Sequence, residues 1–186
     1  MKYRKIKKNV LLREKAFCDA SNRVMGMITT HRYGILSNHM ADLREFEHGT
    51  NWGLHIARSG SRFKVLENYE YKGKTLILLL HLPDDEGWEV FKNNIMDIDS
   101  DIVSSSFERF KDKCFKEPVP ELSTKDWLDR CEFPVGIDKS GNWFAVELCV
   151  SHKKANPLGQ KKVCIILLSP LRRFFLLHRC GYDNGS

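Results

Sequence analysis

Apolar and polar positions alternate along Arg62-Phe63-Lys64-Val65-Leu66-Glu67-Asn68-Tyr69-Glu70-Tyr71 with the two-residue period of a strand, and Lys72-Gly73-Lys74 then supplies a turn. Residues 75–82 follow as a run that is apolar on both faces. The two segments therefore predict an antiparallel hairpin whose second member lies inside the sheet. Residues 52–58 alternate in the same way, Leu54 and Ile56 on one side and His55 and Ala57 on the other. The apolar runs at 24–30 and 143–150 are short and bounded by polar breakers, which predicts two more strands. Val10-Leu11-Leu12 reads as a short strand or the entrance to the fold, and 16–22 as a turn.

Three-residue steps replace the two-residue period at Met40, Leu43 and Phe46, which predicts a helix over 38–47, capped by Ser37 or Asn38 and stopped by Gly49. A second helix is predicted to begin at Pro83-Asp84-Asp85-Glu86, with its acidic residues in the first turn. A third spans 97–114 on a stripe of Ile102, Val103, Phe107 and Phe110. Residues 115–120 contain Pro118 and Pro120 and read as a linker, followed by a short helix around Trp127 with Ser123 as its N-cap. Beyond 150 the chain is polar as far as Lys162. Two apolar runs then follow, 163–168 and 171–178, split by Ser169-Pro170 and Arg172-Arg173. Neither approaches the ~20 residues that a spanning helix needs, which excludes a transmembrane helix; of the two remaining readings, an interfacial anchor and packing elements of the fold, packing is favoured.

Together these elements predict an α+β fold, a largely antiparallel sheet with helices packed on one face. The expected organisation is a basic leader over 1–13, a single domain over 14–150 and a basic, apolar C-terminal segment over 151–186. Charge supports these boundaries. Of the net +6, residues 1–13 carry +6 and residues 151–186 carry another +6, which leaves −6 for 14–150. Such ends suit an acidic partner or a nucleic acid backbone. Residues 1–13 lack the aromatic residues of a stacking platform, however, Tyr3 apart. The six cysteines form no C-x-x-C pair and the start has no secretory signal pattern, so reduced thiols and a cytoplasmic location are expected.

Candidate chemistry concentrates between Thr29 and His55, a stretch that holds four of the seven histidines together with Arg32, Asp42, Arg44, Glu45 and Asn51. Arg32, His48, Thr50 and Arg58 offer charged and hydroxyl donors for a phosphate, and Gly34, Gly49 and Gly53 allow close backbone approach. The expectation is a small enzyme that handles a phosphorylated or nucleotide-like ligand. His48 and His31 are its catalytic candidates, and Arg32, Thr50, His55 and Arg58 its binding residues. No cofactor is specified. A non-enzymatic binding protein that uses its basic ends on nucleic acid or an acidic partner is the alternative.

A third reading places a metal on His31, His39, His48 and His55 with Asp42, Glu45 or Glu47, although no H-x-x-x-H or H-x-H spacing is present. Ser37 lacks a G-x-S-x-G elbow, and neither a P-loop nor G-x-G-x-x-G occurs. His48-Gly49-Thr50 with Gly60 resembles the His-Gly-Thr start of ADP-ribosyltransferase folds over a dozen residues. That likeness implies His48 and Thr50 on an NAD ribose, Tyr69 or Tyr71 stacked on nicotinamide, and Glu147 as the late glutamate. Glu47 replaces the common aromatic before the histidine, and three shared residues do not assign a family.

Overall fold

The computed structural model describes residues 6–91, 100–131, 135–136, 164–165 and 175–179. The larger sheet is built from β1 (Leu11–Arg13), β3 (His31–Ser37), β6 (Arg62–Tyr71), β7 (Lys74–His81), β8 (Cys164–Ile165) and β9 (Phe175–Arg179). Its order is β1-β6-β7-β3, and the far edge of β3 is covered by β9 and, at Arg32, by β8. A smaller antiparallel sheet has the order β2 (Cys18–Ser21), β5 (Leu54–Ala57), β4 (Ala41–Asp42). With helices α1 (Ser100–Lys113) and α2 (Lys125–Arg130), the architecture is α+β. Pairing is mostly antiparallel, but β3 runs parallel to both β7 and β8.

The predicted hairpin is present as β6 and β7. Lys72 and Gly73 both have positive φ, 48° and 77°, which is the turn geometry that matches the twist of two adjoining strands. A bulge between Val65 and Glu67 then changes what the alternation means. In an unbroken strand Phe63, Val65, Tyr69 and Tyr71 would share a face. Here the extra residue puts Phe63 and Val65 in one core with Leu12, Tyr33, Ile35, Ile77 and Leu79, while Tyr69 and Tyr71 turn to the opposite face. That opposite face receives α1. Ile102 and Val103 pack near Leu36 and Leu78, while Phe110 and Cys114 pack on Leu76. The second helix covers the smaller sheet instead, with Trp127 and Leu128 against Leu54, Ile56 and Trp52. The two helices thus serve different sheets.

Three sequence expectations are corrected. The strand expected over 24–30 is irregular, and the strand that pairs with β7 is 31–37. Four of the carbonyls in 24–30 are satisfied by side chains rather than by a ladder. Arg32 donates to the carbonyls of Met25 (2.9 Å) and Gly26 (2.8 Å), and Lys74 to those of Met27 (3.0 Å) and Thr29 (2.9 Å). The helix expected over 38–47 is replaced by β4 and a single 3-10 turn, Arg44–Phe46. Asp42 accepts from the backbone N–H of Arg44 (3.1 Å), a local bond that competes with helix formation, and Phe46 is left 62% exposed instead of buried. Residues 18–21, expected within a turn, form β2.

Smaller adjustments follow further along. Residues 86–91 form a 3-10 helix, and the helix expected over 97–114 is described as 100–113. Thr124 rather than Ser123 caps α2, accepting from the N–H of Trp127 at 3.4 Å. The strand expected over 143–150 lies outside the described residues. Among the described residues no helix is long and apolar enough to cross a membrane.

Candidate functional site

Two adjacent parallel strands end together. The register that pairs Leu36 of β3 with Leu80 of β7 carries on by one residue to set Ser37 beside His81, the last residue of each strand. Both are buried, at 2% and 3% exposure, and Ser37 Oγ is hydrogen bonded to His81 Nδ1 at 2.7 Å. Ser37 Oγ also accepts the backbone N–H of His39 at 3.1 Å. Ser37 Oγ has a second lone pair as well as its own proton, so it serves Nδ1 in either imidazole tautomer, which leaves Nε2 as the ring's second polar atom. That nitrogen is buried and has no hydrogen-bond partner among the described residues. Phe63 stacks on the ring with centroids 4.9 Å apart, and this packing fixes its plane.

Over this buried pair lies a polar shell contributed by the loops that follow the strands. The exposed His39 ring sits edge-on to His81 with centroids 5.3 Å apart. Arg58, just past β5, pairs through Nε with Asp84, three residues past β7, at 2.9 Å. All three groups reach His81 electrostatically. Burial is the main force that lowers its pKa, to about 4; His39 and Arg58 add to the shift and Asp84 opposes it. His81 is neutral at physiological pH. In open sheets, ligands gather at the carboxyl ends of parallel strands, where the backbone stops and loops supply side chains.

The lowered pKa has a consequence for stability. The unfolded chain takes up a proton near the ordinary histidine value of 6.5, whereas the folded chain resists until about pH 4. Between these values the unfolded state binds more protons, so stability is intact above pH 6.5 and falls on acidification toward pH 4. The full loss is expected to be about 3 kcal/mol. Urea titrations from pH 7 to pH 4 would measure it, and His81→Asn, which keeps a polar partner for Ser37, should remove this part of the slope.

The residues singled out from sequence do not gather in one pocket. His31 opens β3 and is hydrogen bonded through Nδ1 to Thr30 Oγ1 at 2.8 Å. It lies at the opposite end of the strand from Ser37, about 20 Å away at the usual rise per residue. Arg32 points into the face covered by α1. It is 1% exposed, and burial draws its pKa well below the usual value, with Cys114 opposing. His55 is buried on β5, with Nδ1 3.0 Å from the Gly53 carbonyl oxygen and Nε2 3.9 Å from Asp42. Asp42 is in turn held down to about 2, chiefly by the hydrogen bond from Arg44. His48 is exposed and Thr50 half-buried in a loop closed by Glu47, whose carboxylate accepts from the N–H groups of Trp52 and Leu54. Of the proposed catalytic and binding residues only Arg58 reaches the strand-end cluster, where it joins His39 and Ser37.

Other expectations resolve in the same way. Among the described residues no three His, Cys, Asp or Glu side chains are grouped so as to hold a metal ion. Tyr69 is committed to α1, its hydroxyl donating to the Val103 carbonyl at 2.7 Å and its ring stacked on Phe107; burial raises its pKa. Tyr71 packs by Phe115, and Glu147 lies outside the described residues. His81 was missed by sequence reasoning. The available signal was an imidazole closing a run of aliphatic residues, a polar group that must find a partner when buried. No protein family, curated protein or solved structure matches the chain.

Proposed function

We propose that the protein binds a small phosphorylated or nucleotide-like ligand where β3 and β7 end, with Arg58 and His39 as its contacts. One observation carries this reading: a guanidinium and an exposed imidazole sit over a buried Ser37–His81 pair at the carboxyl ends of two adjacent parallel strands. A phosphate oxygen would compete with Asp84 for Arg58, whose guanidinium has several donors and uses Nε in the ion pair. His39 would supply a second donor. The Ser37–His81 bond acts as positioning, because it anchors the backbone N–H of His39 and so the loop that carries the ring. The buried Nε2 of His81 is a further polar group, one that a bound ligand or a bridging water would satisfy.

The test is isothermal titration with inorganic phosphate, sugar phosphates and nucleoside monophosphates, followed by amide and imidazole NMR. Expected is saturable binding of at least one of these, with shifts centred on His39, Arg58 and Asp84. Arg58→Ala and His39→Ala should each weaken binding about tenfold or more, in line with the ~1.5–3 kcal/mol of a hydrogen bond to a charged group. Binding that survives both substitutions, or no binding by any of these ligands, would overturn the reading.

A further inference from the structure

Beyond the strand-end site, the opposite region of the fold combines aromatic rings and cations from two elements that the sequence keeps apart. At the β6–β7 turn, the Lys72 ammonium lies 5.3 Å from the Tyr71 ring centroid. Across from it, at the C-terminal end of α1, Phe115 is 55% exposed and meets Tyr71 edge-on with centroids 6.1 Å apart. Lys74 lies 6.0 Å from the Phe115 centroid, and one turn back along α1 Lys111 lies 4.8 Å from that of Phe107. Of these rings, Tyr71 and Phe115 adjoin each other, whereas Phe107 is stacked on Tyr69. The contributing stretches, 69–75 and 107–117, hold six cations against four acids, a local +2 on a body whose residues 14–150 sum to −6.

The geometry points to a binding surface for single-stranded nucleic acid, with Phe115 and Tyr71 as stacking platforms and Lys72 as a phosphate contact. Unpaired bases stack on aromatic side chains irrespective of sequence, and adjacent cations follow the backbone; the adjoining Phe115 and Tyr71 rings with Lys72 beside them supply both. The partner must be single-stranded, because duplex bases present no free face to a ring. Lys72 is exposed and makes no ion pair among the described residues, whereas Lys111 is shared with Glu108 at 2.6 Å. Lys72 is therefore the cation available to a phosphate.

Fluorescence anisotropy of the full chain with labelled 12-mers of U and of dT, at 50 and 200 mM salt, tests this. Expected is binding that weakens with salt, with a duplex of the same length bound more weakly. Phe115→Ala should reduce affinity for the single strands about tenfold, the scale of one lost stacking contact, and Lys72→Glu should lower both affinity and the salt slope. Both side chains are exposed, so melting temperatures should stay near that of the parent. A single-strand affinity unchanged by both substitutions would assign binding to the basic ends and overturn the proposal. So would equal binding of the duplex, or no binding at 50 mM salt. None of these outcomes bears on the strand-end site, which Phe115→Ala leaves intact.

Discussion

Arg32→Met is expected to destabilise the protein by about 3–5 kcal/mol, read as a lowered urea midpoint with an unchanged m-value. Methionine keeps much of the volume and removes the donors. In the parent, the guanidinium donates to the carbonyls of Met25 and Gly26 from within the core, at 2.9 and 2.8 Å. Without it those carbonyls lose their charged donor in a low-dielectric setting, where an unmade bond costs most. Lys74, which donates to Met27 and Thr29, would remain and hold only the second half of the strap. Arg32→Lys should recover part of the loss, since an ammonium keeps the charge but not the fork that spans two successive carbonyls. If Arg32→Met leaves stability unchanged, the strap is held by other contacts.

Gly26→Ala is expected to cost about 3 kcal/mol, the upper part of the range for forced overpacking. A methyl group at this position would lie 1.6 Å from the Lys116 carbonyl oxygen and 2.6 Å from its carbon. Both are backbone atoms, so no side chain can turn aside to admit it. The close approach belongs to a paired arrangement, with Gly26 N–H donating to the Glu117 carbonyl at 3.2 Å and Met27 N–H to that of Cys114 at 3.1 Å. The substitution would push the strap off the end of α1 and should raise hydrogen exchange at Met27 and Cys114 together. A folded protein of parental stability with protected amides at these positions would contradict the close approach.

Local pattern was sufficient wherever neighbours in sequence are also neighbours in space. The hairpin of 62–71 and 74–81 could be read directly, because its turn residues adopt positive φ and its second strand is apolar on both faces. The helix at 100–113 was likewise visible from Ile102, Val103, Phe107 and Phe110. The interior strand 31–37 was not, because it opens with His31 and Arg32 and closes with Ser37. Residues 24–30 presented the stronger apolar run and drew the strand assignment, although their carbonyls are satisfied by two cations elsewhere in the chain. Hydrogen bonds from these two cations to backbone carbonyls outweighed local propensity.

The candidate site shows the same division. Arg58 and His39 drew notice for their chemistry, and Ser37 for its hydroxyl, but nothing adjacent in the chain connects Ser37 with His81, 44 residues away. The parallel register of β3 and β7 makes that connection. The sequence by itself determined the α+β class, the β6–β7 hairpin and the helix over 100–113, since periodicity and turn chemistry act over a few residues. Only the tertiary structure decided which strand lies beside β7, which face Tyr69 and Tyr71 occupy after the bulge, and which histidine meets a serine. Those outcomes depend on strand register and on which buried polar groups find partners, and both are set by segments distant in the chain.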